Sequence, residues 1–294
     1  MQWRFEGLCK SYGDIKALSP VTLDLTPGVY GLIGPNGAGK STWMKLAAGL
    51  LKPTAGRILL DGRDIREYKE KYYEHIGYLP QSAGVYPNFT GAEFLTYFGR
   101  LKGLSYKAAR QSAAELLEQF HLSDAAKRKT KTYSGGMRQR LLIAAAMTAR
   151  PDILILDEPT VGLDPKERST LLNLLSSLSG DRIVFYSTHI IRDLERIADR
   201  VFFLRRGEIA VQGSLQEAVA ALSGGVYTAL LEGEELARLE EEAACQVISV
   251  RREDGGSLVR YYTEGQPLPG SRPAEPRLED VYYALFGGDG AEEG

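Results

Sequence analysis

Between Gly34 and Thr42 the sequence GPNGAGKST places glycines, a lysine and two hydroxyls at a spacing that suits phosphate chemistry. The pattern is G-x-x-x-x-G-K-[ST], a P-loop, and it follows directly on the apolar run VYGLI. Gly34, Gly37 and Gly39 carry no Cβ, so the backbone can curl and aim its N–H groups at phosphate oxygens. Pro35, Asn36 and Ala38 complete that cradle, and Thr42 closes the motif. Lys40 supplies a point charge for the β and γ phosphates, the Ser41 hydroxyl is a ligand for Mg²⁺, and the helix begun by KSTWMKLAAGLL turns its positive end toward the anion. A nucleoside triphosphate is the expected ligand. The plainer alternative is an ordinary strand-turn-helix connection.

A second chemical signal lies at 153 to 165, ILILDEPTVGLDP. An apolar strand ending in adjacent carboxylates delivers two charges to one edge of a sheet, where ligands of open α/β folds gather. Asp157 is expected to hold the Mg²⁺ shell and Glu158 to orient and deprotonate an attacking water. Two solvated carboxylates at a strand end are the bland reading of the same residues.

These residues need a scaffold, and its texture is legible along the chain. QWRFEGL, VTLDL, VYGLIG and GRILLDG read as short strands around the phosphate loop, followed by a further strand, IGYLP, at 76 to 80. EFLTYFGRLKGL, SYKAARQSAAELLEQF and GGMRQRLLIAAAMTAR then carry apolar residues at helical intervals, so residues 88 to 150 are expected to be a helical insert. From 152 onward DILILD, RIVFYST and RVFFLRRGEIAVQG alternate with the helical segments KERSTLLNLLSSL and IIRDLERIA. Continuous apolar strands between helices predict a buried, mainly parallel sheet, hence an α/β fold.

Ser223-Gly224-Gly225, after the helical SLQEAVAAL, marks an expected flexible break between a principal domain at 1–222 and a small α+β extension at 223–287. That extension offers the strands VYTALLEG, QVISVRRE and SLVRYYTE, a charged helix EELARLEEEA, a Pro/Gly-rich linker from Gln266 to Pro276 and a last helix, LEDVYYALF. Residues 288–294 are expected to be disordered.

Composition narrows the function. The 36 Lys plus Arg nearly cancel 38 Asp plus Glu, for a net charge of -2, so no nucleic-acid partner is expected and KRKTK at 127 to 131 reads as a solvated loop. Cys9 and Cys245 stand far apart without a Cys/His cluster, so they are expected to be free cytosolic thiols. The N-terminus MQWRFEGL has no signal-peptide pattern, and the most apolar runs fall short of the about 20 residues a membrane span needs. If the protein works at a membrane, another polypeptide must cross it.

Between the two phosphate-handling motifs stands YSGGMRQR, 133 to 140, and with it the chain resembles the nucleotide-binding subunits of ATP-binding cassette (ABC) transporters over residues 2 to about 222. The segment is similar to that family's signature L-S-G-G-Q, with Tyr133 in place of the leucine and Met137 in place of the glutamine. Ser134, Gly135 and Gly136 are intact, and at a helix start they are expected to form an anion site for a γ-phosphate, whereas SGG on its own would read as a plain helix cap. The resemblance implies a P-loop NTPase cassette: a mixed sheet with a RecA-like parallel part, an antiparallel β subdomain and the helical insert. It implies adenine stacking for Tyr12, contact with Mg²⁺ or the lytic water for Gln81, a loop crossing a dimer interface at Asp164, and a γ-phosphate switch for His189. His75 and His121 have no such context.

In such proteins two subunits sandwich two ATP molecules head to tail, each P-loop facing the other subunit's signature. A single cassette therefore implies a dimer. A homodimer needs no asymmetric partner, because every position considered carries a competent residue, and a heterodimer is left open. Hydrolysis would drive an integral-membrane permease, with Gln81 linking nucleotide to insert, and place the chain in the cytoplasm at the inner face of the cell membrane. YSGGMRQR, PQSAGVYPNFTGAEF and the LEDVYYALFGG tail resemble the ATPases of bacterial multidrug and antibiotic exporters. An importer ATPase is the near alternative. A soluble cassette of translation or DNA repair is disfavoured, since neither a second nucleotide domain nor a coiled-coil insertion is present.

Overall fold

The computed structural model describes residues 1–178, 180–232, 235–236, 239, 245–253 and 256–287. Three sheets organise it. The first is antiparallel, in the order β2-β1-β4-β5, from β1 (Trp3–Tyr12), β2 (Ile15–Leu25), β4 (Ala55–Leu60) and β5 (Arg63–Asp64).

The second sheet has six strands in the order β10-β9-β3-β8-β7-β6. Its members are β3 (Gly28–Ile33), β6 (Ile76–Leu79), β7 (Ile153–Asp157), β8 (Ile183–Thr188), β9 (Arg200–Arg205) and β10 (Glu208–Gly213). All neighbours are parallel except β10, which returns antiparallel to β9 through a turn with Arg206 at φ 49° and Gly207 at φ 82°. RVFFLRRGEIAVQG is therefore a hairpin, because only the Arg-Gly turn reverses the chain.

Side chains alternate across this sheet with period two, and both faces are covered. Tyr30, Leu32, Ile153, Ile155, Ile183, Phe185, Phe202 and Leu204 enter one core with Trp3 and Phe5 of β1 and Trp43 of α1 (Lys40–Ala47). The rings of Trp3 and Phe5 lie 4.8 Å apart, and those of Trp43 and Phe185 5.3 Å apart. Val29, Ile33, Leu154, Leu156, Val184, Tyr186, Val201 and Phe203 face the other way, into a core shared with the helices. That double burial explains why these strands read as continuous apolar runs.

The short helices α2 (Ile65–Tyr68) and α3 (Tyr72–His75) precede β6. The helical segment then comprises α4 (Gly91–Leu101), α5 (Tyr106–Gln119) and α6 (Gly135–Ala146). Thr90 opens α4 with a capping box, its hydroxyl accepting from Glu93 N–H at 3.1 Å while Glu93 Oε2 accepts from Thr90 N–H at 2.6 Å. Of KRKTK, Thr130 is buried and donates its hydroxyl to Tyr86 O at 2.6 Å, while the flanking Arg128, Lys129 and Lys131 stay exposed. The chain continues with α7 (Pro165–Leu178), α8 (Ile191–Ile197) and α9 (Leu215–Ala220).

A third, antiparallel sheet runs β12-β13-β11-β14, from β11 (Gly225–Leu231), β12 (Cys245–Glu253), β13 (Gly256–Thr263) and β14 (Arg272–Pro273). Two sequence expectations change here. The segment 223–225 is fastened, with Ser223 Oγ donating to Glu264 at 2.6 Å and Gly225 already in β11. Gln266–Pro276 contains β14, because Arg272 and Pro273 pair with Thr228 and Tyr227. The charged helix expected at 234–243 lies for the most part outside the described residues, as does the tail at 288–294. The last helix, α10 (Leu278–Phe286), puts Leu278, Val281 and Phe286 into the main core beside Phe203, so it fastens the C-terminal end of the chain to that core. Cys9 and Cys245 are both free thiols.

Candidate active site

Four adjacent parallel strands end at one edge of the six-stranded sheet, and each is followed by a residue singled out in the sequence. Ile33 of β3 pairs with Thr188 of β8, Ser187 with Asp157 of β7, and Leu156 with Leu79 of β6. The register thus brings the phosphate loop, His189, Glu158 and Gln81 to a single crevice, the usual ligand position in open α/β sheets.

The phosphate loop leaves β3 and closes into α1. Gly39 sits at φ 105°, and a Cβ there would lie 2.3 Å from Ala17 O, so neither the backbone conformation nor the space admits a side chain. Ala38 is buried, while Asn36 and Gly37 are exposed and Pro35, Ser41 and Thr42 half-buried. Lys40, only 6% exposed, donates to Gly34 O at 2.6 Å and Pro35 O at 2.9 Å. Its ammonium lies 4.0 Å from Glu158 Oε1. Burial pushes the Lys40 pKa below its ordinary value, and the charges of Glu158 and Asp157 partly offset that.

The two carboxylates are held differently. Asp157, the last residue of β7, is 3% exposed and accepts a hydrogen bond from Ser187 Oγ at 2.6 Å. Glu158 follows at φ 50°, in the left-handed region that a non-glycine residue rarely adopts. Its N–H donates to Ser187 Oγ at 3.0 Å and Ser187 O at 3.2 Å, which fixes that turn. The Glu158 carboxylate meets three groups: Lys40, His189 Nδ1 at 3.3 Å and Gln81 Nε2 at 3.4 Å. His189 and Gln81 are exposed on the crevice side of a buried carboxylate.

The other candidates have partners of their own, apart from the four groups at Glu158. Tyr12 ends β1, half-exposed, with Lys10 Nζ 5.1 Å over its ring. Asp164 caps α7, its Oδ1 accepting from Lys166 N–H at 2.9 Å and Glu167 N–H at 2.8 Å. Ser134 caps α6 by accepting from Met137 N–H at 3.2 Å, with Gly135 exposed and Gly136 buried behind it. These last residues are engaged by Glu167, whereas Lys40 is engaged by the loop and Glu158. His75 pairs with Asp152 at 2.5 Å, away from this cluster.

Of the two departures from the signature, Tyr133 is a residue of the interior and Met137 is half-buried. Tyr133 is buried, donates to Ala125 O at 2.7 Å and packs so tightly on α4 that a Cβ on Gly91 would lie 2.2 Å from its hydroxyl. The Met137 side chain packs against the main core.

Sequence reasoning missed several supports of the site. Ser187 carries no motif of its own beyond preceding His189 by two residues. Asp193, 1% exposed, accepts from Thr160 Oγ1 at 2.8 Å, from Tyr186 OH at 3.1 Å and from Arg168 Nε at 2.5 Å. It ties the loop after Glu158 to α7 and to the helix that follows His189. The Tyr78 hydroxyl is buried without a hydrogen-bond partner among the described residues, and burial with the nearby Asp157 charge pushes its pKa up to about 12. The only available signals were an acidic residue four places after His189 and a tyrosine in the strand before Gln81.

A glycine-rich loop opening a helix, a buried lysine and a strand-end carboxylate pair define a P-loop nucleotide-binding protein. The family model described as ABC transporter matches residues 18–161. The chain is 39% identical over 222 residues to the daunorubicin/doxorubicin resistance ATP-binding protein DrrA of Streptomyces peucetius, covering 75% of this chain and 67% of that one. It is 34% identical over 296 residues to Nod factor export ATP-binding protein I of Burkholderia orbicola, covering 96% of each. The ATP-binding cassette MJ0796, solved in a post-hydrolysis state bound to ADP and Pi, superposes with a TM-score of 0.65 at 28% identity, over 72% of this chain and 98% of that one. The chain belongs to the ATP-binding proteins of ABC transporters, and it is an ATPase. Among the described residues no helix is long and apolar enough to cross a membrane.

Proposed function

We propose that this chain hydrolyses Mg-ATP at the seam of a head-to-tail homodimer and thereby drives export through a separate membrane permease at the inner face of the cell membrane. The observation that carries the proposal is the buried Glu158 carboxylate, met at once by Lys40, Gln81 and His189 at the mouth of the sheet.

Each group has a task its surroundings suit. Tyr12 stacks on adenine with its exposed ring, and the loop from Gly34 to Thr42 cradles the phosphates. Lys40 neutralises charge on the β and γ phosphates as the bond between them breaks. Glu158 accepts the proton of the water that attacks the γ-phosphorus; His189 holds the γ-phosphate on one side of that carboxylate and Gln81 orients the water on the other. Ser41, Asp157 and Gln81 offer a hydroxyl, a carboxylate and an amide oxygen, a hard donor set that fits Mg²⁺. Bound there, the ion would neutralise the phosphate oxygens. The signature residues Ser134, Gly135 and Gly136, with Asp164 across the interface, complete the second subunit's site.

Gln81 stands between Glu158 and the segment Ala83–Val85–Phe89, which packs against the core of the helical insert, so nucleotide state reaches the insert through one short path. Residues 223–287 act as a C-terminal domain anchored by α10. The export direction rests on the names of the two relatives, one a drug-resistance and one a Nod-factor-export ATP-binding protein.

The deciding experiment uses Glu158→Gln. Light scattering should find that this variant accumulates as a dimer with Mg-ATP while hydrolysis stops, whereas the parent turns ATP over. Hydrolysis by the variant at the parent rate would remove Glu158 from its role. Co-purification from detergent with a candidate membrane permease tests the membrane partner.

A further inference from the structure

A serine hydroxyl and a backbone N–H each have one proton to donate. At the start of α6 both protons are already committed. Ser134 Oγ donates to Glu167 Oε1 at 2.9 Å, and Gly136 N–H donates to Glu167 Oε2 at 3.0 Å. The same hydroxyl oxygen accepts from Met137 N–H, so its lone O–H is the one directed at the carboxylate. The fit is close: a Cβ on Gly136 would lie 2.3 Å from the Glu167 carboxyl carbon.

Glu167 could have been satisfied locally. It occupies the third helical position after the Asp164 cap, where a glutamate ordinarily turns back to its own cap residue's N–H. Glu93 does this to Thr90 at 2.6 Å and Glu217 to Ser214 at 2.7 Å in this chain. Glu167 instead reaches across to a helix start 31 to 33 residues earlier in sequence, with one oxygen on each donor.

We propose that Glu167 is an autoinhibitory carboxylate, an internal stand-in for the γ-phosphate that occupies the Ser134 and Gly136 donors of the separated subunit and must release them before the partner's nucleotide engages. The inference rests on the head-to-tail dimer proposed above. Carboxylate and phosphate carry the same sign of charge and claim the same two protons, so one excludes the other. Glu167 lies three residues beyond Asp164, in the loop-helix junction assigned to the interface, so docking of the second subunit moves the inhibitor itself. When hydrolysis separates the subunits, Glu167 recaptures the donors and the positive end of α6 keeps an anion. Two copies must be released per dimer, so the effect enters twice.

The test measures dimerisation by sedimentation against protein concentration at saturating Mg-ATP, in the Glu158→Gln background alone and with Glu167→Ala or Glu167→Gln added. At an exposed helix start, exchanging this hydrogen-bonded contact for water is worth about fivefold per site, the ordinary net value of one hydrogen bond and below that of a buried charge-assisted one, so Glu167→Ala should lower the dimer dissociation constant about 25-fold. Glu167→Gln keeps the shape without the charge and should shift it less, in the same direction, and it carries the test if the alanine variant folds poorly. ATP affinity of the monomer should be equal in all three proteins. Variants that dimerise no more readily than the Glu158→Gln parent overturn the autoinhibition and leave the dimer standing. A parent that binds ATP without dimerising sinks the dimer, and this inference with it.

Discussion

The hydroxyl of Ser187 donates to Asp157 at 2.6 Å while accepting the N–H of Glu158 at 3.0 Å, so one side chain orients a carboxylate and pins the left-handed turn beside it. Ser187→Ala removes both bonds in a fully buried position. If Asp157 holds Mg²⁺ as proposed, loss of a supporting hydrogen bond typically costs one to two orders of magnitude, so kcat for ATP should fall about 10- to 100-fold with the ATP dissociation constant within about threefold. Steady-state kinetics with calorimetric binding checks this, and an unchanged kcat would detach Ser187 from the site.

Lys40 is buried against loop carbonyls and lies near Glu158, a costly position for an ammonium unless an anion arrives. Lys40→Ala should weaken ATP binding about 10- to 100-fold, the order of a charge-assisted contact to phosphate. Titration calorimetry reads it directly.

Tyr12 projects from the end of β1 with half its surface exposed, so its ring contributes little to the core. Tyr12→Ala should leave the melting temperature unchanged and raise the ATP dissociation constant about three- to tenfold through lost stacking. Equal affinity for the variant removes the ring from the adenine site.

At Asp64 a pH dependence is expected. Hydrogen bonds from the Arg66 guanidinium, with its charge, hold the Asp64 carboxyl below the usual carboxylate range. The folded pKa is below the unfolded one, so this stabilisation is present above the unfolded value and is lost as pH falls through the folded value. Asp64→Asn keeps the cap on α2 and should flatten the decline in melting temperature below about pH 4. Parallel melting curves for the two proteins would expose the idea.

In the C-terminal segment, Arg260 meets Asp280 in a bidentate pair of 2.8 and 2.6 Å, and Asp280 also accepts from Arg277 N–H at 2.6 Å. Asp280 is 1% exposed and the Arg260 side chain 15%. Asp280→Ala should cost about 2 kcal/mol, below the fully buried case because Arg260 keeps some water. Urea denaturation measures this; Arg260→Leu with Asp280→Leu should recover most of the loss.

Sequence alone determined what is local: the phosphate loop, the strand ending in Asp157 and Glu158, the helix start at Ser134 and the apolar runs of the central sheet. Each depends on neighbours within a few residues, through turn conformation, capping or period-two burial. Tertiary structure decided which of these meet. The strand order places β3, β8, β7 and β6 side by side, and that order alone brings Lys40, His189, Glu158 and Gln81 together. It also decided the supports that carry no pattern: Ser187 beneath the carboxylates, Asp193 joining three elements, and Glu167 on the signature donors. Tyr133 and Met137 read as odd letters in a motif and proved to be packed inward. A side chain's partner across the fold is set by chain topology and by competition for buried hydrogen bonds, neither of which a linear spacing records.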